Sequence, residues 1–178
     1  MNLQPNSSTP TSMKLSRYGL LLLLLCVSFT SFSQQTEIVK ILNKELEKET
    51  RLRLKDPDLS TDTLWVITPY RIDSNVLSVT VKIKDYDNKY YTEKQEIALN
   101  KIKAVVKDIN VIFETEPDAV RITQLPQDAA GTEPAEIRYS NLFFLHLYAE
   151  KQNEALANKL VKAFGKVGLK IEKRFWYD

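Results

Sequence analysis

Residues 76–84, VLSVTVKIK, alternate apolar and polar side chains more regularly than any other stretch of the chain. The apolar positions are Leu77, Val79, Val81 and Ile83, and Ser, Thr or Lys lies between them. A period of two places the four apolar side chains on one face of an extended strand. The segment therefore predicts a β-strand that is buried on one face and exposed on the other.

The segments around this strand have the same extended character. Residues 63–72, TLWVITPYRI, are rich in β-branched and aromatic residues, and Asp73-Ser74-Asn75 joins them to residues 76–84 as a predicted hairpin. The segment 136–149, EIRYSNLFFLHLYA, has apolar residues on both faces, which predicts the most buried strand. Three more strands are predicted, at residues 90–99, 109–116 and 119–125. In the second of these we expect Ile109, Val111 and Phe113 to share one face.

Two segments have the spacing of amphipathic helices. Residues 36–54 carry an apolar stripe and end before Pro57, which cannot donate a backbone hydrogen bond. Residues 150–164 carry a second stripe, and either Gly165 or Gly168 can take the left-handed cap. The closing segment LKIEKRFWYD can add one more strand. Residues 126–136 lack apolar periodicity and are predicted to form a loop or a mobile lid.

These patterns predict an α+β fold: antiparallel β-sheets of about six strands with an N-terminal and a C-terminal helix. Two stretches carry a resemblance to a known family. EIALNKIKAVVKDINVIFETE, residues 96–116, and FFLHLYAEKQNEALANKLVKAF, residues 143–164, are similar to bacterial PH-like and GRAM-like domains. The resemblance implies two packed antiparallel sheets, a PH-like barrel, with a helix closing one open end. It carries over no inositol phosphate site, since the loop at residues 73–75 has no cation. The alternative is a cystatin-like or NTF2-like sheet crossed by the first helix.

The start of the chain has the order of an export signal. Lys14 and Arg17 precede the apolar run 20–32, and small residues stand at Ser31 and Ser33. We therefore predict a signal peptide at residues 1–33, cleaved after Ser33, and one globular domain at residues 34–178. The expected location is the periplasm or the medium of a bacterium. The SQQ junction resembles those of exported proteins of Bacteroidota-type bacteria.

The same apolar run bears on two kinds of membrane attachment. It has about 13 residues, whereas a membrane-spanning helix needs about 20, so no stable span is expected. A lipidated Cys26 would need small residues at the two positions before it, and Leu24 and Leu25 occupy them. The sequence therefore argues against a lipid anchor at Cys26.

Composition excludes several function classes. The whole chain has a formal net charge of +2, and the predicted leader removes Lys14 and Arg17, so the mature domain is neutral and has no electrostatic reason to bind nucleic acid. Cys26 is the only cysteine and His146 the only histidine, which leaves no ligand set for zinc or copper. Few glycines remain, so no phosphate-binding loop can form. We predict no metal and no cofactor.

Candidate catalytic groups are few. Glu114 and Glu116 share a strand face that is expected to be solvated, and His146 lies among aromatic residues without a nucleophile in a recognisable motif. Asp85 and Asp87 stand in a stretch that lacks the glycine and the distal Glu of a calcium loop, so a turn is expected there. We predict no catalytic residue.

The aromatic residues are the strongest candidates for a ligand or partner surface. Consecutive residues of the terminal FWYD alternate faces, so either Trp176 or the pair Phe175 and Tyr177 must cover a neighbour or meet a partner. The predicted surface residues are Trp65, His146, Tyr148, Trp176 and Tyr177.

The prediction is an exported, non-catalytic domain that binds an envelope protein or a small ligand through the open edge or end of its sheet. One alternative is a small hydrolase or isomerase with a carboxylate-based site. The other is a structural envelope subunit that assembles through edge strands, against which the lysines of the 82–84 strand argue because charged edges resist pairing.

Overall fold

The computed structural model describes residues 17–55, 64–84, 89–126 and 134–177. Within these ranges the chain has nine strands in two sheets and two α-helices, which confirms the α+β class. The described strands do not close into a barrel. In this part of the chain no helix combines the length and apolar character needed to cross a membrane.

The two helices are α1 (Arg17–Lys55) and α2 (Glu154–Lys166). The strands are β1 (Leu64–Asp73), β2 (Val76–Lys84), β3 (Tyr90–Ala98), β4 (Ile102–Lys107), β5 (Val111–Thr115), β6 (Val120–Pro126), β7 (Glu136–Ser140), β8 (Leu142–Phe144) and β9 (Glu172–Trp176). The first sheet is antiparallel with the order β1-β2-β3-β6-β7. The second sheet has the order β8-β5-β4-β9, in which β9 runs parallel to β4.

The predicted hairpin is confirmed. Strands β1 and β2 are antiparallel, and Ser74 and Asn75 between them have φ angles of 48° and 68°. Two successive left-handed residues match the right-handed twist of the strands that they join. Leu77, Val79 and Val81 are buried in the phase that the alternation predicts.

The core lies between the sheets and under both helices. Helix α1 contributes Ile38, Leu42 and Leu46, spaced four residues apart so that they share one face. Phe113 lies within 6.3 Å of Phe143 and 5.6 Å of Phe164, measured between ring centroids. These contacts join the second sheet to α2.

The prediction of a single strand over residues 136–149 is wrong. The chain breaks at Asn141, and the two halves belong to different sheets: β7 to the first and β8 to the second. Far from being the most buried strand, β7 is exposed along most of its length. The pattern of apolar residues does not reveal this crossing between sheets, because the residues before and after Asn141 both have the spacing of a strand.

Three other expectations need correction. The count of about six strands is too low, partly because residues 102–107 form the unpredicted β4. Ile109 does not share the buried face of β5; it is 74% exposed because residues 108–110 turn the chain. Lys82 and Lys84 lie on β2, which is paired with a strand on both sides, so these lysines do not protect a sheet edge.

Several predictions fall on residues outside the described ranges. These are the leader up to residue 16, the turn at residues 85–88 and residues 127–133 of the predicted loop. Helix α1 runs without interruption through the predicted cleavage site after Ser33, and cleavage there stays a prediction.

Candidate functional site

Helix α1 is fastened to β1 by one side chain. The Asn43 Nδ2 donates to the Tyr70 carbonyl oxygen at 2.9 Å, and the Tyr70 amide donates to the Asn43 Oδ1 at 2.8 Å. The Tyr70 hydroxyl also donates to the Leu145 carbonyl oxygen at 2.8 Å. Burial raises the pKa of this phenol well above its ordinary value, so it stays protonated. The two Asn43 bonds fix the distance between the helix and the edge of the first sheet, and the hydroxyl bond joins β1 to the segment that follows β8.

Beside this contact, α1 and β1 enclose a groove with a volume of about 380 Å³. Ligand pockets in proteins usually have volumes of about 300–1,000 Å³. The apolar part of the wall is formed by Leu46, Leu64, Trp65, Val66 and Pro69. The polar part is formed by Asn43, Glu47, Thr50 and Arg51. We call this feature the α1–β1 groove.

Trp65 is the largest side chain of the groove and is 41% exposed. Its ring lies 5.4 Å from that of Tyr90, between centroids, at an angle of 57°. The Lys82 Nζ lies 5.6 Å from the Trp65 ring and 4.8 Å from the Tyr90 ring. Packing against Tyr90 and Lys82 holds the indole in place while much of it stays open to a ligand.

The ionisable groups of the groove neutralise each other. The Arg51 guanidinium and the Glu47 carboxylate form an i,i+4 ion pair at 3.2 Å, and both side chains are largely exposed. The lining contains neither His146 nor Tyr148. The groove can therefore hold an apolar body and offer hydrogen bonds at its rim.

His146 belongs to a different cluster between the two sheets. It has a left-handed φ of 53°, and its Nε2 lies 3.0 Å from the Gln95 Nε2. Because an amide nitrogen only donates, the imidazole must accept through Nε2 and is neutral. Burial, together with the nearby Arg53 charge, lowers the pKa of His146 to about 4. The Gln95 Oε1 accepts the Phe144 amide at 2.9 Å, so Gln95 ties the edge of the second sheet to the first.

A buried ion pair extends this cluster to α1. The Glu49 Oε1 accepts from the Arg53 Nε at 2.9 Å, and both Glu49 carboxylate oxygens accept from the Ala149 amide at 3.1 and 3.0 Å. The Arg53 guanidinium lies 3.8 Å above the Tyr148 ring. His146 and Tyr148 thus lie together in one cluster with Arg53, away from Trp65.

The C-terminal aromatic residues divide between the two faces of β9. Trp176 is partly buried and packs on the core, with its Nε1 shielded from solvent. Phe175 and Tyr177 point outward, are 64% and 63% exposed, and stack with their centroids 6.5 Å apart. Of the two predicted arrangements, the structure therefore has Trp176 as the inward residue.

The two acid/base candidates among the carboxylates, Glu114 and Glu116, are held in ion pairs. The Glu114 Oε2 accepts from the Arg174 guanidinium at 3.1 Å. Hydrogen bonds from Lys101 and Lys103 lower the pKa of Glu116 to about 2. A carboxyl group with such a pKa is ionised at neutral pH and cannot act as a general acid.

The sequence patterns do not single out Asn43, Glu49, Arg53 or Gln95. One further signal is present on β3: Glu93 and Gln95 stand in phase with the inward Ile97, and both are buried. A polar residue at an inward strand position needs a buried partner. No comparable local signal marks Asn43, whose partner is 27 residues away.

The fold and site thus define an α+β chain of two sheets and two helices with an apolar groove at one sheet edge. Comparison with known proteins gives no match: no family model fits the sequence, and no curated protein or solved structure is significantly similar. Among the described residues, no group of three or more His, Cys, Asp or Glu could hold a metal ion.

Proposed function

We propose that this chain is an exported, non-catalytic binding domain whose ligand is a small molecule with an apolar body, held in the α1–β1 groove. The single observation that carries the proposal is the exposed Trp65 indole in a groove of about 380 Å³. An exposed tryptophan in an apolar concavity is typical of binding sites, because it offers a large contact area at little cost in conformational entropy.

The chemistry of the groove supports the ligand class. Its apolar wall gains contacts with a hydrocarbon or aromatic body, and the Glu47–Arg51 pair can bond a polar end. The Thr50 hydroxyl donates to the Leu46 carbonyl oxygen at 3.0 Å and can still accept a hydrogen bond from a ligand. This pair is neutral as a unit, so the groove favours no strongly charged ligand.

The state of the ionisable groups supports binding over the hydrolase or isomerase alternative. The carboxylate of Glu116 is ionised and paired with two lysines, and His146 is hydrogen-bonded to Gln95 at a position outside the groove lining. A general base must reach the proton that it removes.

Trp65 provides the test of this proposal. In a Trp176→Phe background it is the only tryptophan, so its emission reports on the groove alone. We expect the uncharged probe N-phenyl-1-naphthylamine to quench this emission with saturation at one site. Thr50→Phe fills the groove and should weaken binding by about tenfold or more, the ratio that corresponds to about 1.4 kcal/mol.

Lys159→Phe is the matched control, because it adds the same ring on an exposed position of α2 away from the groove. Its affinity for the probe should equal that of the background protein. Linear, unsaturable quenching, or equal affinities for Thr50→Phe and Lys159→Phe, would contradict the proposed site.

A further inference from the structure

The four sheet edges differ in how their backbone is protected. At β1 the Asn43 side chain forms hydrogen bonds with the main-chain amide and carbonyl groups of Tyr70. At β8 the Gln95 Oε1 accepts the Phe144 amide. Strand β9 carries the charged run Glu172-Lys173-Arg174, which discourages pairing. At three edges, therefore, either a side chain is hydrogen-bonded to one backbone position or charged residues follow one another along the strand.

Strand β7 has no side chain bonded to its outward backbone within the described ranges, and its two charged residues, Glu136 and Arg138, are of opposite sign. Its sequence, EIRYS, contains neither lysine nor proline, and its register with β6 is continuous without a bulge. Within the described ranges its backbone pairs only with β6. The outward side chains of Ile137 and Tyr139 are 48% and 60% exposed. A regular edge strand with exposed apolar residues is a template for another strand.

The charges of β7 are complementary to those of β7 in a second copy of the chain that runs antiparallel to it. In an antiparallel pairing that sets Ile137 opposite its own copy, Glu136 of each chain faces Arg138 of the other. Opposite charges and β-branched residues at facing positions stabilise such pairs. The Arg138 guanidinium is 3.3 Å from the Glu93 carboxylate but its side chain remains 46% exposed, so it can contact a second carboxylate.

We propose that the chain forms a two-fold dimer in which β7 pairs with β7 of a second copy, in the register that sets Ile137 opposite Ile137. The five-stranded first sheet then continues across the axis into that of the second copy. Because the same segment, residues 134–140, supplies both halves of the interface, the contact closes on itself and forms a pair rather than a fibre. This inference does not depend on the ligand of the α1–β1 groove.

Sedimentation velocity of the protein purified from its bacterial host tests the association. We expect a concentration-dependent dimer. Ile137→Lys sets two like charges across the axis and should raise the dissociation constant by about tenfold or more. Ile109→Lys, at a 74% exposed turn, is the control and should leave the constant unchanged. A native chain that stays monomeric, or a dimer indifferent to Ile137→Lys, overturns the proposal.

Cysteine crosslinking tests the register. In a Cys26→Ser background the chain has no other thiol. Ile137→Cys should then form an intermolecular disulfide under mild oxidation, because facing residues have Cβ atoms about 4.5–5.5 Å apart. Tyr139→Cys should form no such disulfide, because in this register position 139 faces Ala135 of the second copy. Crosslinking at Tyr139 with none at Ile137 overturns the proposed register, as does equal crosslinking of both.

Discussion

The side-chain amide of Asn43 makes both main-chain hydrogen bonds of Tyr70, so a helix residue takes the place of a neighbouring strand at the edge of the first sheet. An edge strand otherwise leaves its outward amide and carbonyl groups to solvent. The bonds satisfy these groups and at the same time set the spacing between α1 and β1. The groove beside Trp65 depends on that spacing.

Asn43→Ala should therefore destabilise the domain. Each lost hydrogen bond contributes about 0.5–1.5 kcal/mol, and the higher helix propensity of alanine offsets part of the loss, so we expect a net cost of about 1–2 kcal/mol. Urea unfolding followed by circular dichroism measures it. Lys44→Ala, one residue on and outside this contact, should change the midpoint little. Equal midpoints for the two variants would show that the Asn43 bonds are dispensable.

The described part of helix α1 has two i,i+4 ion pairs, one buried and also bonded to the Ala149 amide, the other exposed. The side chains of Glu49 and Arg53 are 2% and 9% exposed, whereas those of Glu47 and Arg51 are 69% and 65% exposed. Glu49→Gln leaves a buried guanidinium without its counter-charge and should cost about 3 kcal/mol or more. Glu47→Gln should cost less than about 0.5 kcal/mol. Chemical denaturation of both variants compares them directly, and a cost for Glu49→Gln as small as that for Glu47→Gln would disprove the role of burial.

The two glycines at the end of α2 should respond to alanine in opposite ways. Gly168 follows the helix in the left-handed conformation, with a φ of 77°, whereas Gly165 lies within the helix. At both positions the space around an added Cβ is open. Gly168→Ala should destabilise by about 1 kcal/mol through backbone strain. Gly165→Ala should stabilise by about 0.5–1 kcal/mol through helix propensity. Melting temperatures that move in the same direction would contradict this assignment of the cap.

His146 should make stability depend on pH in a defined window. Burial and Arg53 lower its pKa to about 4 in the folded chain, from about 6.5 when unfolded. The unfolded chain therefore binds the extra proton first, so stability is fully present above about pH 6.5 and falls as the pH drops toward 4. A shift of this size corresponds to between about 3 and 4 kcal/mol for a fully shielded ring, and any solvent that reaches the ring reduces it.

The measurement is urea unfolding at pH 7, 5.5 and 4.5, with His146→Asn as the comparison. Asparagine tolerates the left-handed backbone and keeps a hydrogen-bonding side chain without titrating. Because His146 is the only histidine, its imidazole NMR signals follow one titration. A midpoint near pH 6.5 in the folded protein, or identical pH profiles for the native chain and His146→Asn, would refute the prediction.

Much of the local structure is predictable from the sequence. The period of two in residues 76–84, the turn before them and the helical stripe of residues 36–54 each reflect interactions between residues a few positions apart. The left-handed glycine that follows α2 is one of the two predicted caps. In each case the backbone preference or the facing of neighbouring side chains is fixed by local spacing alone.

The candidate site is predictable only in part. The preference of interfaces for aromatic residues selects Trp65, which lines the α1–β1 groove. The same preference selects Trp176, but β9 turns that ring toward the core and leaves Phe175 and Tyr177 outside. An alternating pattern defines two faces without saying which of them meets the core.

By itself, then, the sequence determined the class of the fold, its principal helices and strands, and the phase of the buried positions in its regular strands. Only the tertiary structure decided that residues 136–149 divide between two sheets, that Asn43 meets Tyr70, and that His146 meets Gln95 51 residues away. The physical reason is the range of the interactions. Periodicity records how each segment faces an apolar interior, whereas these contacts depend on which segments the packed core brings side by side.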